Sequence, residues 1–265
     1  MSWQEFSSRV LMQPQDCSAT STSPSPLRQL IQQYIAHAPK EFDWRERGVV
    51  SPVKNQGHCG SCWTFSTTGA LEAHHAIKYG VWRSPTLSEQ QLLDCAGAFD
   101  NKGCSGGLPS HAFEYISYAG GISEEFAYPY EARSNGTVCR FDATSNNATV
   151  GAKVITSFNI TQGDEDSIMY HLLKNGPVSV AFQVTPEFRK YKSGVFSNGT
   201  ACKGGPMDVN HAVLVVGYGH HNDDGPFWVV KNSWSKLWGE EGYFRIRRGE
   251  NMCGIAVCAS YPVLN

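Results

Sequence analysis

The sequence predicts an α+β protein of two lobes, because helix signals dominate its first half and strand signals its second half. Its 265 residues are enough for one large domain or two modest ones. A hydrophobic content of 41% together with 26 glycines is typical of a globular, loop-rich chain. We therefore expect a helical lobe over residues 38–155, a β lobe over residues 156–265, and a ligand site where the lobes meet.

Three capped segments predict the helices of the first lobe. Ser61 is placed to cap a helix over Cys62–Tyr79, since a serine hydroxyl can bind a free N–H of the first turn. Ser88 and Gln91 form a capping-box pair, which predicts the start of a second helix. Pro109–Ala119 predicts a third helix, because proline is favoured in a first turn and a glycine pair follows the segment.

Five segments rich in β-branched and aromatic residues predict the strands of the second lobe, since such side chains suit a pleated, half-buried surface. Turn-forming residues bound each of them. The third is continuously apolar and is therefore expected to be a buried strand. In chain order the five are Ala152–Phe158, Val178–Val184, Ala212–Val216, Phe227–Lys231 and Tyr243–Arg247.

The N-terminal residues have a different character from the two lobes. Residues 18–26 are rich in Ser, Thr and Pro and are expected to form an exposed linker. Residues 27–36 have the spacing of one or two amphipathic helical turns, which Pro39 would end. Residues 1–12 lack the apolar core of a signal peptide, so the chain either starts inside a longer precursor or is truncated.

Charge and cysteine content narrow the class of protein. The formal net charge of −2 gives no reason to expect nucleic acid or an anionic membrane as a partner, and no apolar run is long enough to span a membrane. Nine cysteines suggest four disulfides and one free thiol, hence an oxidising secretory compartment. The alternative is a reduced protein with buried, inert cysteines. Glycosylation triplets agree with the secretory interpretation and begin at Asn135, Asn147, Asn159 and Asn198.

The histidines do not predict a metal site. The pairs His74-His75 and His220-His221 lack a convincing set of further ligands. We therefore expect no metal and no cofactor.

The strongest functional motif is Cys59-Gly-Ser-Cys62-Trp63. Cys62 would begin the first helix, whose N-terminal N–H groups and partial positive charge stabilise a thiolate, the reactive form of cysteine. The same N–H groups would help to bind an oxyanion. The alternatives for Cys62 are a disulfide half, a buried thiol or a redox pair with Cys59. The redox pair is disfavoured because a glycine-rich loop, not a strand, precedes the motif.

Downstream residues would complete a cysteine hydrolase. His211 begins the buried strand, which would hold its imidazole rigidly. Because a neighbouring thiolate favours the charged ring, the imidazole would stay protonated and would then protonate the leaving amine. Asn232 would orient the ring through its carboxamide oxygen, and Trp234 would shield that hydrogen bond. Gln56 would supply a second oxyanion donor. Taken alone, His211 would be a core histidine, Asn232 a turn residue and Gln56 a polar loop residue.

These motifs resemble the papain-like cysteine peptidase family over about residues 40–265. The resemblance implies a helical left lobe, an antiparallel, β-barrel-like right lobe and an active-site cleft between them. It also implies that an extended peptide substrate pairs with a glycine strip beside an apolar pocket. The implied substrate-binding residues are Gly106, Gly107, Leu108, Pro109, Ala212, Trp234 and Thr20.

The resemblance also implies the disulfide pairing. The family template pairs Cys59–Cys104, Cys95–Cys139 and Cys202–Cys253. Residues 13–20 resemble the mini-chain of one aminopeptidase in the family, an octapeptide of the propeptide that a disulfide keeps on the main body. By that resemblance Cys17 pairs with Cys258, and Cys62 stays free. Residues 1–37 would then hold a propeptide remnant, this mini-chain and an excisable linker.

The leading hypothesis is a cysteine peptidase that acts mainly as an aminopeptidase. A mini-chain cut after Thr20 would block the non-primed half of the cleft, which holds the substrate residues before the scissile bond, and would place a carboxylate against the substrate's α-amino group. The alternatives are an endopeptidase in which the Cys17 segment is only a tether, a catalytically silent binding protein, and a thiol–disulfide oxidoreductase, which needs Cys59 free. Expected partners are peptide and protein substrates and cystatin-type inhibitors. The resemblance suggests a monomer, lysosomal or secreted.

Overall fold

The protein has an α+β fold, as the sequence predicts. Its structure is a computed structural model that describes residues 1–17, 25–134 and 138–265. Within these ranges the chain forms six α-helices, short 3-10 turns and ten strands, eight of which share one sheet. The helices are α1 (Trp3–Arg9), α2 (Ser25–Ala36), α3 (Cys62–Tyr79), α4 (Glu89–Cys95), α5 (Pro109–Tyr118) and α6 (Glu165–Lys174). Helices α1 and α6 were not predicted from the sequence.

The long central helix α3 has the predicted bounds and the predicted N-cap residue, but it lacks the expected side-chain hydrogen bond at that cap. Most of its side chains are buried, and Gly80 ends it by donating its N–H to Ala76. Ser61 occupies the N-cap position, yet its hydroxyl makes no cap hydrogen bond and lies 2.6 Å from the Tyr130 hydroxyl instead. Ser61 is therefore the N-cap residue, as predicted, but the expected side-chain hydrogen bond is not made, because a partner distant in sequence takes the serine hydroxyl.

The predicted capping box of α4 is half formed. The Ser88 hydroxyl accepts from the Gln91 N–H at 3.0 Å, as expected. The Gln91 side chain does not return to Ser88. Its oxygen accepts from the Ser123 N–H at 2.6 Å, and its nitrogen donates to Gly121 O at 3.2 Å. This side chain therefore joins α4 to the short strand at Ser123, a long-range contact that the local pattern does not reveal.

The main sheet has the strand order β4-β10-β5-β7-β8-β9-β6, with β1 paired to β7. The long strand β7 extends past the predicted Val216, because its later residues pair with β8 as far as His221 and with β1 at Gly217 and Tyr218. The predicted strand at residues 152–158 is split into β3 and β4. The strands are β1 (Phe42–Asp43), β2 (Ile122–Ser123), β3 (Val150–Ala152), β4 (Val154–Asn159), β5 (Val178–Phe182), β6 (Val195–Phe196), β7 (His211–His221), β8 (Gly225–Lys231), β9 (Tyr243–Arg247) and β10 (Ala259–Leu264).

The sheet differs from the expected antiparallel barrel. Its β6–β9 pair is parallel. Its two end strands are β4 and β6, and no pairing joins them among the described residues. The remaining two strands, β2 and β3, form a separate small sheet.

Two apolar cores correspond to the two lobes. One lies on the main sheet and includes Trp44, whereas the other surrounds α3 and includes Leu71. The lobe boundary at residue 155 stays a prediction. At least one segment crosses it, since β1 lies within the residues assigned to the helical lobe but pairs with β7 of the main sheet. The N-terminal segment also changes lobes: Val10 packs in the sheet core, whereas Met12 packs in the helical core.

The cysteines pair as the family resemblance implies. The four disulfides are Cys17–Cys258, Cys59–Cys104, Cys95–Cys139 and Cys202–Cys253. All nine cysteines lie in the described ranges, and Cys62 is the one that remains free. Because Cys59 is bonded to Cys104, it is not available for a redox pair with Cys62.

Candidate active site

Cys62 lies at the start of α3, where the two lobes meet. Its thiol is fully buried, and the backbone N–H of Ala212 donates to Sγ at 3.3 Å. Ala212 is the second residue of β7, so one strand of the opposite lobe reaches the thiol directly. The helix N-terminus and this N–H both favour a negative charge on sulfur.

His211 and Asn232 meet on the β-lobe side of Cys62. His211 Nε2 lies 2.8 Å from Asn232 Oδ1, so Nε2 carries the proton and Nδ1 is left for chemistry. Nδ1 is buried and has no hydrogen-bond partner among the described residues. The Trp234 ring stacks on the imidazole with centroids 4.6 Å apart and an interplanar angle of 29°. This stacking shields the hydrogen bond between His211 and Asn232 from water.

Gln56 is held in one orientation by its own neighbours. Its Oε1 accepts from Ser233 Oγ at 2.7 Å and from Trp234 Nε1 at 3.1 Å. The amide nitrogen therefore points the other way, and it donates to Cys59 O and to Val10 O, each at 2.8 Å. A fixed N–H donor of this kind is what an oxyanion needs, and here the Val10 carbonyl accepts from it.

Residues 10–13 cross the cleft and cover Cys62. Val10, Leu11 and Met12 are buried. The Met12 N–H donates to Asn210 O, and the Gln13 N–H donates to Ser105 O, both at 2.9 Å. From the sequence, residues 1–12 were interpreted only as a remnant, and this role was missed. An apolar Val-Leu-Met run between polar residues was the available signal.

Burial sets the protonation state of the covered site. It raises the pKa of the Cys62 thiol to about 12, against the opposing N–H of Ala212. It lowers the pKa of His211 to about 4, although Asn232 acts in the other direction. The covered site therefore holds a neutral thiol and a neutral imidazole. The thiolate–imidazolium pair expected from the sequence is not favoured in this state.

The predicted glycine strip lies beside the covering segment. Gly106 has φ +129°, and a Cβ built there would lie 2.9 Å from Met12 Cβ. At Gly107 a Cβ would lie 2.5 Å from Asn101 Oδ1, so neither position has room for a side chain. Leu108 and Pro109 line a small cavity together with Cys17. Residues of the N-terminal segment thus contact the strip and form part of the wall of its neighbouring pocket.

The remaining predicted residues fall into two groups. Asn147, Asn159 and Asn198 are exposed, as a glycosylation site requires. Asn135 and Thr20 lie outside the described residues.

In the ranges that are described, no three His, Cys, Asp or Glu side chains are grouped to hold a metal ion. No helix in the same ranges is both long and apolar enough to cross a membrane.

Fold and site together place the chain among the cysteine hydrolases, because the only free thiol among the described residues lies beside a histidine that an asparagine orients. The chain belongs to the papain family: a family model described as papain family cysteine protease matches residues 38–263. The resemblance drawn from the sequence motifs is therefore confirmed.

Individual relatives cover nearly the whole chain. Pro-cathepsin H of Medicago truncatula is 53% identical over 262 residues, which are 99% of this chain and 70% of the relative. Pro-cathepsin H of Mus musculus is 51% identical, with shares of 99% and 74%. Thiol protease aleurain-like of Arabidopsis thaliana is 53% identical, with shares of 100% and 69%. The resemblance of residues 13–20 is to cathepsin H, a name that two of these relatives carry.

Solved structures confirm the papain-like fold. The digestive procathepsin L2 proteinase of Tenebrio molitor aligns with a TM-score of 0.85 at 38% identity, covering all of this chain and 81% of that one. A recombinant stem bromelain precursor aligns with a TM-score of 0.83 at 35% identity, with shares of 100% and 80%.

Proposed function

We propose that this papain-family peptidase acts mainly as an aminopeptidase, with Cys62 as nucleophile and residues 13–20 as a plug in the non-primed half of the cleft. The observation that carries the aminopeptidase mode is the Cys17–Cys258 disulfide, which fastens residue 17 beside Leu108 and Pro109. An endopeptidase needs that space for the substrate residues before the scissile bond.

The catalytic steps follow from the contacts at Cys62. The thiolate attacks the scissile carbonyl, while Gln56 Nε2 and the Cys62 N–H bind the developing oxyanion. The imidazolium of His211 transfers a proton from Nδ1 to the leaving amine, and the C–N bond breaks to give a thioester. His211 then accepts a proton from a water molecule, which attacks the thioester and releases the acid. Asn232 keeps the ring oriented through Nε2 in each step.

Selection for a free amino terminus follows from the length of the plug. Three residues of extended chain reach about 10 Å, so a carboxylate at Thr20 is within reach of the cleft from the tethered Cys17. A carboxylate in a partly buried cleft would bind the ammonium group of a substrate and exclude an acylated one. Residues 10–13 must first leave, because the Val10 carbonyl accepts from the Gln56 N–H that the oxyanion would need.

A thiol–disulfide oxidoreductase and a catalytically silent binding protein have less support. An oxidoreductase would need Cys59, which is bonded to Cys104. A silent binding protein would not need Cys62, His211, Asn232 and Gln56 to converge on one position. We further propose an acidic secretory compartment, cystatin-type inhibitors and a monomer, on the strength of the four disulfides and the family relationship.

The test compares one arginine-dye amide with a free and with an acetylated amino terminus. We expect strong preference for the free amine, no turnover by Cys62→Ala, and loss of the preference in the double variant Cys17→Ser/Cys258→Ser. In that double variant the acetylated substrate should be cleaved better, since the plug is no longer tethered. Equal cleavage of both substrates by the unchanged chain would establish an endopeptidase instead.

A further inference from the structure

A buried ionic cluster lies between the lobes and takes no part in the catalytic steps above. Its charged members are Lys54, Glu72, Glu89 and Lys231. Glu72, Glu89 and Lys231 are 0%, 1% and 8% exposed. Buried charges are costly unless they are paired and hydrogen-bonded. Two positive and two negative charges offset each other here.

Hydrogen bonds join the members into one chain. Lys231 Nζ donates to Ser51 Oγ at 2.9 Å, and Ser51 donates in turn to the Glu72 carboxylate. Lys54 Nζ lies 2.9 Å from Glu72 Oε1 and 2.6 Å from Glu89 Oε1. Glu72 belongs to α3, Glu89 to α4 and Lys231 to β8, so the chain of bonds runs from one lobe to the other.

Members of the cluster lie on or next to the segments that carry Cys62, Gln56 and Asn232. Glu72 lies on the helix that Cys62 begins. Lys231 immediately precedes Asn232, and Lys54 is two residues before Gln56. A cavity between the lobes is lined by Glu72 and Lys231 together with Asn232 and Ala212. The Lys54 carbonyl also accepts from the Ser235 N–H at 3.1 Å, which ties the Gln56 segment to the turn after Asn232.

We propose that Lys231 is a positioning residue: anchored through Ser51 to Glu72 on α3, it fixes Asn232, and through Asn232 the His211 ring, at a set distance from Cys62. This inference rests on the proposed function, since it concerns the same catalytic groups. Lys231 acts through its neighbour, and it does not touch the substrate or the reacting atoms. A lysine suits the task because its long stem crosses the lobe interface while its ammonium group bonds on the far side.

The protonation states agree with this arrangement. Burial lowers the pKa of Lys231 to about 8, partly opposed by Glu72, so the ammonium form persists at acidic and neutral pH. Burial alone would raise the pKa of Glu72, but Lys54 and Lys231 hold it below its ordinary value. Burial raises the pKa of Glu89 to about 7 despite Lys54. The bonds from Lys231 to Glu72 are therefore intact in an acidic compartment.

The test uses Lys231→Met, Lys231→Arg and Ser51→Ala in the full chain. Active sites are counted with an irreversible thiol titrant, so that molecules in which residues 10–13 still cover Cys62 do not enter kcat. We expect Lys231→Met to lower kcat about 10- to 100-fold, because small misplacements of catalytic groups have effects of that size. KM should change by less than about threefold. Arginine should restore part of kcat, and Ser51→Ala, which keeps the charge, should lower it less.

Ile168→Val is the matched control, because Ile168 is 1% exposed in the sheet core and lies on α6, which carries no member of the cluster. It should lower the melting temperature and leave kcat unchanged. If Lys231→Met and Ser51→Ala lowered only the melting temperature, in the manner of the control, the positioning role would be wrong. Should Lys231→Met not fold, Ser51→Ala and Lys231→Arg decide by the same criterion.

A second readout separates this inference from the proposed function. Once residues 10–13 have left the cleft, the rate of Cys62 alkylation against pH reports how the imidazole assists thiolate formation. We expect the acidic limb of that profile to shift in Lys231→Met and not in Ile168→Val. If the unchanged chain alkylated normally but hydrolysed neither arginine amide, the proposed function would fail while this readout still tested Lys231. An unshifted limb would overturn the positioning role.

Discussion

The N-terminal segment and helix α2 both precede the two lobes, but they are attached in different ways. Residues 1–17 include residues 10–13, which cross the cleft. They are held by Phe6, which is 8% exposed, by several backbone hydrogen bonds and by the disulfide at Cys17. Helix α2 packs on α6, and of its large apolar side chains only Ile31 is fully buried among those the structure describes. Leu30 remains 62% exposed.

This difference divides a region that the sequence pattern presents as one. Residues 1–37 were expected to form a propeptide remnant, a mini-chain tethered through Cys17 and an excisable linker. In the structure the first part covers Cys62 in the cleft, whereas α2 packs on α6 and, through Ile35, against the sheet core. Release of the first part should therefore change the chemistry at Cys62, whereas release of α2 should change stability alone.

The largest expected effect comes from Phe6→Ala set against Ile31→Ala. The Phe6 ring lies edge-on to Trp234, with centroids 5.3 Å apart. Truncation of a buried phenylalanine costs about 3–5 kcal/mol, and each 1.4 kcal/mol is about tenfold in an equilibrium. We expect Phe6→Ala to raise the rate of Cys62 alkylation at least about tenfold, because the covering segment dissociates more often.

Ile31→Ala is the control, because Ile31 is a large apolar side chain that is also buried. It should lower the free energy of unfolding by about 2–5 kcal/mol and leave the alkylation rate unchanged. Equal acceleration by both variants would show that the two segments open together, and the contrast between them would be lost. The measurement is alkylation followed by mass spectrometry, with urea unfolding for stability.

Acidification should loosen the covering segment by a smaller amount. Burial lowers the pKa of His211 from 6.5 to about 4 in the covered state. A depressed histidine pKa stabilises that state above pH 6.5, and the stabilisation is lost as the pH falls through 4. At 1.36 kcal/mol per pKa unit the loss is about 3 kcal/mol. The raised pKa of Cys62 acts only above pH 9, where its stabilisation is lost as the pH rises towards 12.

The expected result is a lag before hydrolysis that shortens between pH 6.5 and pH 4. The lag should be followed with the free-amine arginine substrate, and Phe6→Ala should have a shorter lag at each pH. A lag independent of pH in this range would mean that His211 does not titrate against the covering segment.

The proposed catalytic residues could be identified from the sequence because each lies in a local motif. Cys62 follows a glycine-rich loop and begins a helix, and His211 begins an apolar strand. The geometry joining them depends on the meeting of α3 with β7, which the α+β segregation predicts only in outline. The chain order of the sheet, with β10 between β4 and β5, has no local signal.

The covering segment was missed because its partners are far away in sequence. Met12 bonds to Asn210, and Val10 bonds to Gln56. The segment itself has neither regular periodicity nor a turn motif, so propensity arguments assign it to no element. The cap hydrogen bond of Ser61 could not be judged from the sequence for the same reason, since its hydroxyl partner Tyr130 is 69 residues away along the chain.

The smallest expected effect comes from two cations that hold the two segments. Arg189 lies 4.5 Å from the Phe6 centroid and donates to Met1 O at 2.9 Å, whereas Lys174 lies 4.4 Å from the Tyr34 centroid on α2. Such contacts contribute about 0.5–1 kcal/mol at exposed sites. We expect Arg189→Ala to raise the Cys62 alkylation rate by about two- to fivefold, and Lys174→Ala to leave it unchanged. If the two alanine variants gave the same rate, the guanidinium would not help to hold the covering segment, and Phe6 and the backbone hydrogen bonds would account for its attachment.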